Sequence, residues 1–301
     1  MSTNPAAAFY AGSGAARTVG AALRLLDRLA PTWGTRGALR LFFTPMPWKF
    51  AMRSPLPRPW MAERWAFEGT SLAWYRRDDI ADERPVVLLV HGWGGSGAQM
   101  LALGDRLAAA GFDPVLLDFP GHGRSGAWRS TLPQFARALF AAAARLGPLH
   151  GVVAHSLGAL AATHAAARGL PVERLALLAP SAPPAAFLEW FAHSFGLAQG
   201  LAARMRAQIE RREGVGLAEF EPAWLGARVT QPVLVLHDEG DRVAPHAASV
   251  RLAASLPAGH LVSTRGLGHR RLLDDAQVAA GVLEHLQADG RGAAPMALPQ
   301  R

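Results

Sequence analysis

The amino-acid sequence predicts an α/β fold with a doubly wound, mostly parallel sheet and a small helical insertion. Short apolar runs alternate with helical stretches through the middle of the chain. The run Val86–Val90 is continuously apolar, as is typical of a strand buried on both faces of a parallel sheet. The alternation resumes at Val233 after an unusually long interval. Such alternation favours right-handed crossovers within one sheet.

Composition excludes several classes of protein. The chain has 301 residues, half of them hydrophobic, which is enough for one large core with an insertion. It has no cysteine, which excludes disulfides, thiolate metal sites and a cysteine nucleophile. The formal charge is +8, but Lys49 is the only lysine and the arginines are scattered, so we predict no nucleic-acid binding. No apolar run approaches the roughly 20 residues that span a bilayer, and we expect a cytoplasmic protein.

Residues 1–60 form the first predicted segment, with a tail, two amphipathic helices and a proline-rich connector. Apolar residues recur at helical spacing between Arg17 and Phe43, with a break near residues 31–37. We predict that these helices dock on the body of the protein. The alternative, which we rank lower, is an arginine-edged helix that lies on a membrane surface or covers the mouth of an active site. Residues 45–59 contain five prolines and are predicted to be extended.

We assign residues 61–182 and 232–288 to the core and residues 289–301 to a disordered tail. The predicted strands are 65–67, 72–75, 86–90, 114–117, 151–154, 175–178, 233–236 and 261–263. The predicted helices are 98–110, 133–146, 157–168, 245–255 and 275–286. The first two strands are short enough to form a hairpin at one edge of the sheet.

Residues 183–231 interrupt the alternation and are predicted to form a helical lid. Helical stretches are expected at 187–201 and 203–212. A segment inserted between two strands of an open sheet lies over the strand ends, where substrates bind. Phe187 and Phe191 are four residues apart and share one helix face, which Trp190 widens. We predict that these three residues, together with Trp93, contact substrate, although such stripes are more often part of a core.

The segment 152–158, Val-Val-Ala-His-Ser-Leu-Gly, places a serine between a predicted strand and a predicted helix. Ala154 and Gly158 lie two positions either side of Ser156, where a sharp strand-to-helix turn has room only for small side chains. Such a turn lifts the serine oxygen out of the sheet beside a helix N-terminus. The pattern predicts a nucleophilic serine.

A serine nucleophile needs a base and an orienting acid, and the chain supplies candidates for both. Asp241 follows the strand 233–236, and His269 lies in a glycine-rich loop before the last helix. Asp238 is an alternative acid. His237 and His260 are alternative bases, although both fall within or at the end of predicted strands, where a packed histidine is the commoner outcome.

Four motifs in this order resemble those of the α/β-hydrolases, and the resemblance spans residues 65–287. The first is the loop His-Gly-Trp-Gly-Gly at 91–95, and the second is Asp-Phe-Pro-Gly-His-Gly-Arg-Ser at 118–125. The third is the serine turn, and the fourth is the pair of loops that carry Asp241 and His269. The resemblance favours Asp241 over Asp238 and implies an oxyanion hole made by the backbone amides of Trp93 and Leu157.

The resemblance implies a serine hydrolase that cleaves a small acyl substrate, most simply a carboxylic ester, with a Ser156-Asp241-His269 triad. It requires no cofactor and no metal. A thioesterase or acyltransferase of the same fold is the first alternative. An alternative of another class is a non-catalytic binding protein with a hydrolase-like body. Residues 92–97 also match the dinucleotide pattern GxGxxG, but that interpretation leaves the three candidate catalytic residues unexplained.

Overall fold

The computed structural model of the protein describes residues 14–45, 56–80 and 83–288. The predicted tails at both ends and most of the proline-rich connector lie outside these residues. No helix within the described ranges combines the length and the apolar character needed to cross a bilayer.

Eight strands in the described ranges form one sheet. They are β1 (Trp60–Phe67), β2 (Thr70–Arg77), β3 (Val86–Val90), β4 (Asp113–Asp118), β5 (Leu149–His155), β6 (Val172–Leu178), β7 (Val233–Asp238) and β8 (Gly259–Thr264). Their order across the sheet is β1-β2-β4-β3-β5-β6-β7-β8. β1 and β2 form an antiparallel hairpin at one edge, β2 runs antiparallel to β4, and β3 to β8 are parallel. The predicted fold class is confirmed.

In the described residues, two helices precede β1, and the others lie between strands, in the insertion or after β8. They are α1 (Gly14–Leu29), α2 (Pro31–Phe42), α3 (Leu101–Ala109), α4 (Leu132–Leu146), α5 (Leu157–Ala167), α6 (Pro184–Ser194), α7 (Gln199–Glu213), α8 (Pro222–Gly226), α9 (His246–Ser255), α10 (Gly268–Arg271) and α11 (Ala276–Gln287). Single 3₁₀ turns span Gly97–Met100 and Leu217–Phe220.

The predicted helix 187–201 is wrong, because the chain forms two helices there. α6 ends at Ser194, and Gly196 adopts φ +59°, a left-handed conformation that glycine reaches without steric cost. The chain then turns back, and α7 begins at Gln199. The short helices α8 and α10 were not predicted, because four or five residues are too few to show helical periodicity.

The sheet is covered on both faces. Leu88 and Val90 of β3 point to a cluster that includes residues of α4, α5 and α9, whereas Val87 and Leu89 point to a cluster that includes residues of α3 and α11. All four of these side chains are fully buried, which explains why β3 is apolar at every position. The core therefore holds the carboxyl ends of the parallel strands rigidly in place.

The insertion helices α6 and α7 pack against α1 and α2. Leu23 of α1 and Leu39 of α2 belong to a third apolar cluster together with Phe191 of α6 and Met205 of α7. The Arg24 guanidinium donates to a backbone carbonyl at the end of α6 over 2.7 Å. We call the unit formed by α1, α2, α6 and α7 the cap.

Candidate active site

The turn between β5 and α5 holds Ser156 at φ +54° and ψ −121°. A non-glycine residue rarely adopts a positive φ, so this backbone is strained. A Cβ atom on Gly158 would lie 2.3 Å from the carbonyl oxygen of His91, so this position requires glycine. Ala154 is fully buried in β5, where its single methyl group is accommodated. The Ser156 amide donates to Leu178 of β6, which ties the turn to the sheet.

Three polar side chains meet at the carboxyl edge of the sheet. Ser156 Oγ lies 3.0 Å from His269 Nε2, and His269 Nδ1 lies 2.6 Å from Asp241 Oδ2. A carboxylate only accepts hydrogen bonds, so His269 donates its Nδ1–H and its Nε2 accepts the serine hydroxyl. Asp241 follows β7, and His269 lies on α10 after β8. In this geometry an imidazole activates a serine and a carboxylate orients the imidazole.

Asp241 is held ionised by its surroundings. Its side chain is fully buried, and burial alone would raise the pKa of the carboxyl. Hydrogen bonds from His237 and His269 and from the backbone amide of Ala244 outweigh burial and hold the pKa of Asp241 well below its usual range. The amides of Val243 and Ala244 donate to Oδ1 over 2.7 and 3.0 Å.

His237 and His155 support this arrangement. His237 Nε2 lies 3.2 Å from Asp241 Oδ2, and its Nδ1 accepts from Ser249 Oγ over 2.6 Å, so His237 is a partner of the acid and not a base toward Ser156. His155 Nε2 donates to the carbonyl of His269 over 2.9 Å. Burial lowers the pKa of His155 to about 3, so this ring is neutral. The adjacency of His155 to Ser156 and the four-residue spacing from His237 to Asp241 were signals available in the sequence.

The alternative acid and base lie elsewhere. Asp238 Oδ1 accepts from the amide of Gly240, and its Oδ2 accepts from the amide of Leu267 over 2.8 Å and from Thr264. Asp238 therefore shapes the loops that carry Asp241 and His269. His260 lies on β8, within the sheet.

The loop after β3 approaches the serine closely. A Cβ atom on Gly92 would lie 2.6 Å from Ser156 Cβ, so the backbone beside Trp93 borders Ser156. No hydrogen bond from the amide of Trp93 or Leu157 to another described residue is present. Leu157 is the first residue of α5, where a helix leaves its amides without internal partners. Both amides are therefore available to an acceptor at Ser156.

Two buried histidines hold this loop. His91 Nε2 accepts from the Phe119 amide and His122 Nε2 accepts from the Gly94 amide, each over 3.0 Å. Burial lowers the pKa of His91, which favours the neutral ring that these contacts require. Both histidines connect the loop after β3 to the loop after β4.

The GxGxxG segment is not arranged as a dinucleotide site. A dinucleotide site of this type has an acidic residue about 20 residues further on that binds the ribose, and Asp113 and Asp118 are the candidates by position. Asp118 is fully buried and accepts from the Gly97 amide and from Tyr75 over 2.6 and 2.7 Å. Asp113, the other candidate, pairs with Arg76 over 2.6 Å. Both carboxylates thus have internal partners. Within the described ranges, no group of three or more His, Asp or Glu side chains is arranged to bind a metal ion.

An apolar cavity of about 80 Å³ opens beside Ser156; we call it the catalytic cavity. The cap contributes Phe42, Phe187 and Ile209, and the core contributes Trp93 and Leu157. Its other lining residues are Phe43, Leu132, Pro133, Ser156, Pro184, Leu217 and Phe220. The lining of this cavity is mostly apolar, so it can accommodate an apolar group next to Ser156.

Only two of the four predicted substrate contacts, Trp93 and Phe187, line this cavity. The prediction is corrected for Phe191, which is fully buried against Phe42, with ring centroids 5.2 Å apart. It is also corrected for Trp190, which contacts Phe187 but does not line the cavity. The apolar face of α6 lines the catalytic cavity near the N-terminus of the helix, at Phe187. One turn later, at Phe191, the same face packs against α2.

A doubly wound sheet that presents such a serine turn defines a class of hydrolytic enzymes. A family model described as alpha/beta hydrolase fold matches residues 85–229. A pimeloyl-[acyl-carrier protein] methyl ester esterase of Chromobacterium violaceum is 30% identical over 245 residues, covering 67% of this chain and 94% of the relative. An esterase of the same name from Xanthomonas campestris pv. campestris is 28% identical over 253 residues, covering 70% and 98%.

A comparison with solved structures supports the same fold class. The structure of an esterase from Pyrococcus furiosus superimposes with a TM-score of 0.59 at 14% identity, covering 78% of this chain and 96% of that one. The chain belongs to the α/β-hydrolase family, and it is an ester-hydrolysing enzyme. The resemblance and the enzyme class predicted from the sequence are thereby confirmed.

Proposed function

We propose that the protein cleaves a carboxylic ester through an acyl-enzyme, with Ser156 as nucleophile, His269 as base and acid, and Asp241 as the orienting carboxylate. The position of His269 carries this proposal, because one ring lies within hydrogen-bonding distance of both other groups, at 3.0 and 2.6 Å. Asp241 is ionised and fully buried, so it stabilises the imidazolium that forms during the reaction.

The reaction has two halves. In the first, Ser156 Oγ bonds to the acyl carbon while its proton passes to His269 Nε2, and His269 returns that proton to the alcohol as the ester C–O bond breaks. In the second, His269 takes a proton from water, which attacks the acyl carbon, and the carboxylic acid leaves as Ser156 regains its proton. One water molecule is consumed in the second half, and all other proton transfers are made by Ser156 and His269.

We place the negative oxygen of each tetrahedral intermediate at the amides of Trp93 and Leu157. These amides border Ser156 from two sides and make no hydrogen bond to another described residue. Amides fixed in advance toward a developing charge stabilise it without reorganisation.

The acyl group of the substrate lies in the catalytic cavity, between Phe187 of the cap and Trp93 of the core. A cavity of about 80 Å³ fits a short chain. The named relatives act on the methyl ester of an acyl chain borne by a carrier protein, and the chemistry shared with this proposal is the carboxylic ester of an aliphatic acid.

Hydrolysis of p-nitrophenyl esters of graded acyl length tests the proposal. We expect kcat/KM to be highest for acetate or butyrate and to fall for octanoate and dodecanoate. A fluorophosphonate probe should label the folded wild-type protein. Folded protein that neither hydrolyses any of these esters nor reacts with the probe would refute the proposal.

A further inference from the structure

A second cavity, of about 1030 Å³, lies beside the catalytic cavity; we call it the arginine groove. The two cavities share Phe43 and Ile209 in their linings, so they adjoin. The walls of the groove come from α2 and α7 of the cap, from the β1–β2 turn, from residues 127–131 and from α4. Its volume matches the upper end of the range for small-molecule sites, about 300 to 1,000 Å³.

Positive charge dominates the arginine groove. Its charged lining residues are Arg36, Arg40, Arg129, Arg137, Arg212, Glu68 and Glu213. Five guanidinium groups against two carboxylates leave an excess of three positive charges. A concave surface of one sign concentrates ligands of the opposite sign.

The two carboxylates are already paired. Arg137 lies 2.5 Å from Glu68 and 3.2 Å from Glu213, and Arg212 lies 3.7 Å from Glu213. Arg36, Arg40 and Arg129 have no carboxylate partner among the described residues. These three cations are therefore available to an anion in the groove.

Two tryptophans flank these arginines. Trp33 and Trp128 line the groove and are 61% and 53% exposed, which is high for side chains of this size. The guanidinium carbon of Arg36 lies 5.2 Å from the ring centroid of Trp33. Guanidinium groups recognise phosphate in a bidentate manner, and aromatic faces stack on the flat or apolar groups that accompany it.

We infer that the arginine groove binds a phosphate-bearing portion of the acyl substrate while the acyl group occupies the catalytic cavity. This inference rests on the proposed function, because it assigns two parts of one substrate to two adjoining cavities. The ligand chemistry is an organic phosphate. It comes either from a soluble phosphorylated thioester or ester or from the headgroup of a phospholipid.

The first test compares two substrates with the same acyl group. Butyryl-coenzyme A carries phosphates, whereas the butyryl thioester of N-acetylcysteamine is neutral. For a variant with Arg36→Gln, Arg40→Gln and Arg129→Gln, we expect the ratio of kcat/KM for the charged to the neutral thioester to fall by about tenfold or more. Arg251→Gln, an exposed substitution on α9 away from the groove, should keep the wild-type ratio.

The second test measures binding without turnover, in the Ser156→Ala protein. Calorimetry with coenzyme A and with phosphate-free pantetheine examines the soluble source. Sedimentation with phosphatidylglycerol vesicles and with phosphatidylcholine vesicles examines the lipid source. Binding of coenzyme A, or of phosphatidylglycerol vesicles alone, that is lost when the three arginines are also replaced supports the inference and identifies the source.

Absence of binding to every phosphate-bearing probe would overturn the inference, and so would equal binding by the Ser156→Ala protein with and without the arginine replacements. These outcomes do not depend on catalysis. If the wild-type protein hydrolyses p-nitrophenyl butyrate but binds no phosphate probe, the inference fails and the proposed function stands. If it binds the probes but hydrolyses no ester, the proposed function fails.

Discussion

The catalytic cavity and the arginine groove share part of their walls but are built in opposite ways. Around the catalytic cavity, Asp241 and His237 are fully buried and hydrogen-bonded, so each polar atom has a fixed position. In the groove, Arg36 and Arg129 are solvent-exposed, and the role that we infer for them depends on charge. The proposed reaction geometry thus depends on a buried network, whereas the inferred ligand selection depends on solvated side chains.

Replacement of Ser156 should have the largest effect, because it should abolish turnover at the catalytic cavity without changing binding in the groove. Ser156→Ala removes the attacking oxygen, so we expect kcat for p-nitrophenyl butyrate to fall by about 10⁴-fold or more and fluorophosphonate labelling to disappear. Binding of phosphate-bearing probes in the groove should persist. Ser255→Ala, a matched change on α9, should retain both labelling and turnover. Labelling of Ser156→Ala would show that another residue is the nucleophile.

Replacement of Asp241 and replacement of Asp238 should have different effects on activity and stability, and this is the second prediction. Asp241→Asn removes the charge that orients His269, and we expect kcat to fall by about 10³- to 10⁴-fold with little change in KM. Asp238→Asn should mainly lower the midpoint of thermal unfolding, because Asp238 accepts hydrogen bonds from the loops that carry Asp241 and His269. Steady-state kinetics and thermal unfolding of both variants check this. The reverse pattern would assign the catalytic acid to Asp238.

The size of the catalytic cavity gives the third prediction. Phe187→Ala removes a ring that lines this cavity from α6. We expect the ratio of kcat/KM for p-nitrophenyl octanoate to that for butyrate to rise by about tenfold, because the longer chain gains room. Phe195→Ala is the matched control, since this buried ring belongs to the apolar cluster that joins the helices of the cap and does not line the cavity. An unchanged ratio in Phe187→Ala would place the acyl chain elsewhere.

Local features of the chain were predicted from the sequence, whereas contacts between distant segments were not. β3 was predicted with its observed bounds, because a strand buried on both faces is apolar throughout. Ser156, Asp241 and His269 each follow a strand, so local motifs were enough to nominate them. The division of the apolar stripe of α6 at Phe191 depends on where α2 packs, which helical periodicity does not report.

The arginine groove was not predicted at all. Its arginines come from α2, from residue 129, from α4 and from α7, which are far apart in the chain. Helical spacing places Arg36 and Arg40 on one face of a helix, but it does not show which distant segments lie beside that face, and the arginines were interpreted as scattered. Only the docking of α2 and α7 beside α4 brings them to one surface.

The smallest predicted effect is on the free energy of unfolding in mild acid. It distinguishes the two regions, because the arginines of the groove keep their charge in this pH range, whereas a buried histidine near Ser156 differs in protonation between the folded and unfolded states. His155 has an ordinary pKa of 6.5 that burial lowers to about 3. Between these values the unfolded chain binds a proton that the folded chain does not, so the free energy of unfolding falls as pH falls through 6.5. From pH 7 to 5.5, His155 alone should lower it by about 1 kcal/mol.

Denaturant unfolding at the two pH values checks this prediction. The usual pKa of Asp241 is 3.8, and it is lowered further in the fold, so this group loses its stabilising contribution only at more acidic pH. His155→Gln should therefore lose about 1 kcal/mol less than the wild type between pH 7 and 5.5. His193→Gln, at an exposed position on α6, should lose as much as the wild type. An equal loss in His155→Gln and the wild type would mean that His155 binds its proton in the folded protein as it does in the unfolded chain. The ring beside Ser156 would then be solvated, as the arginines of the groove are.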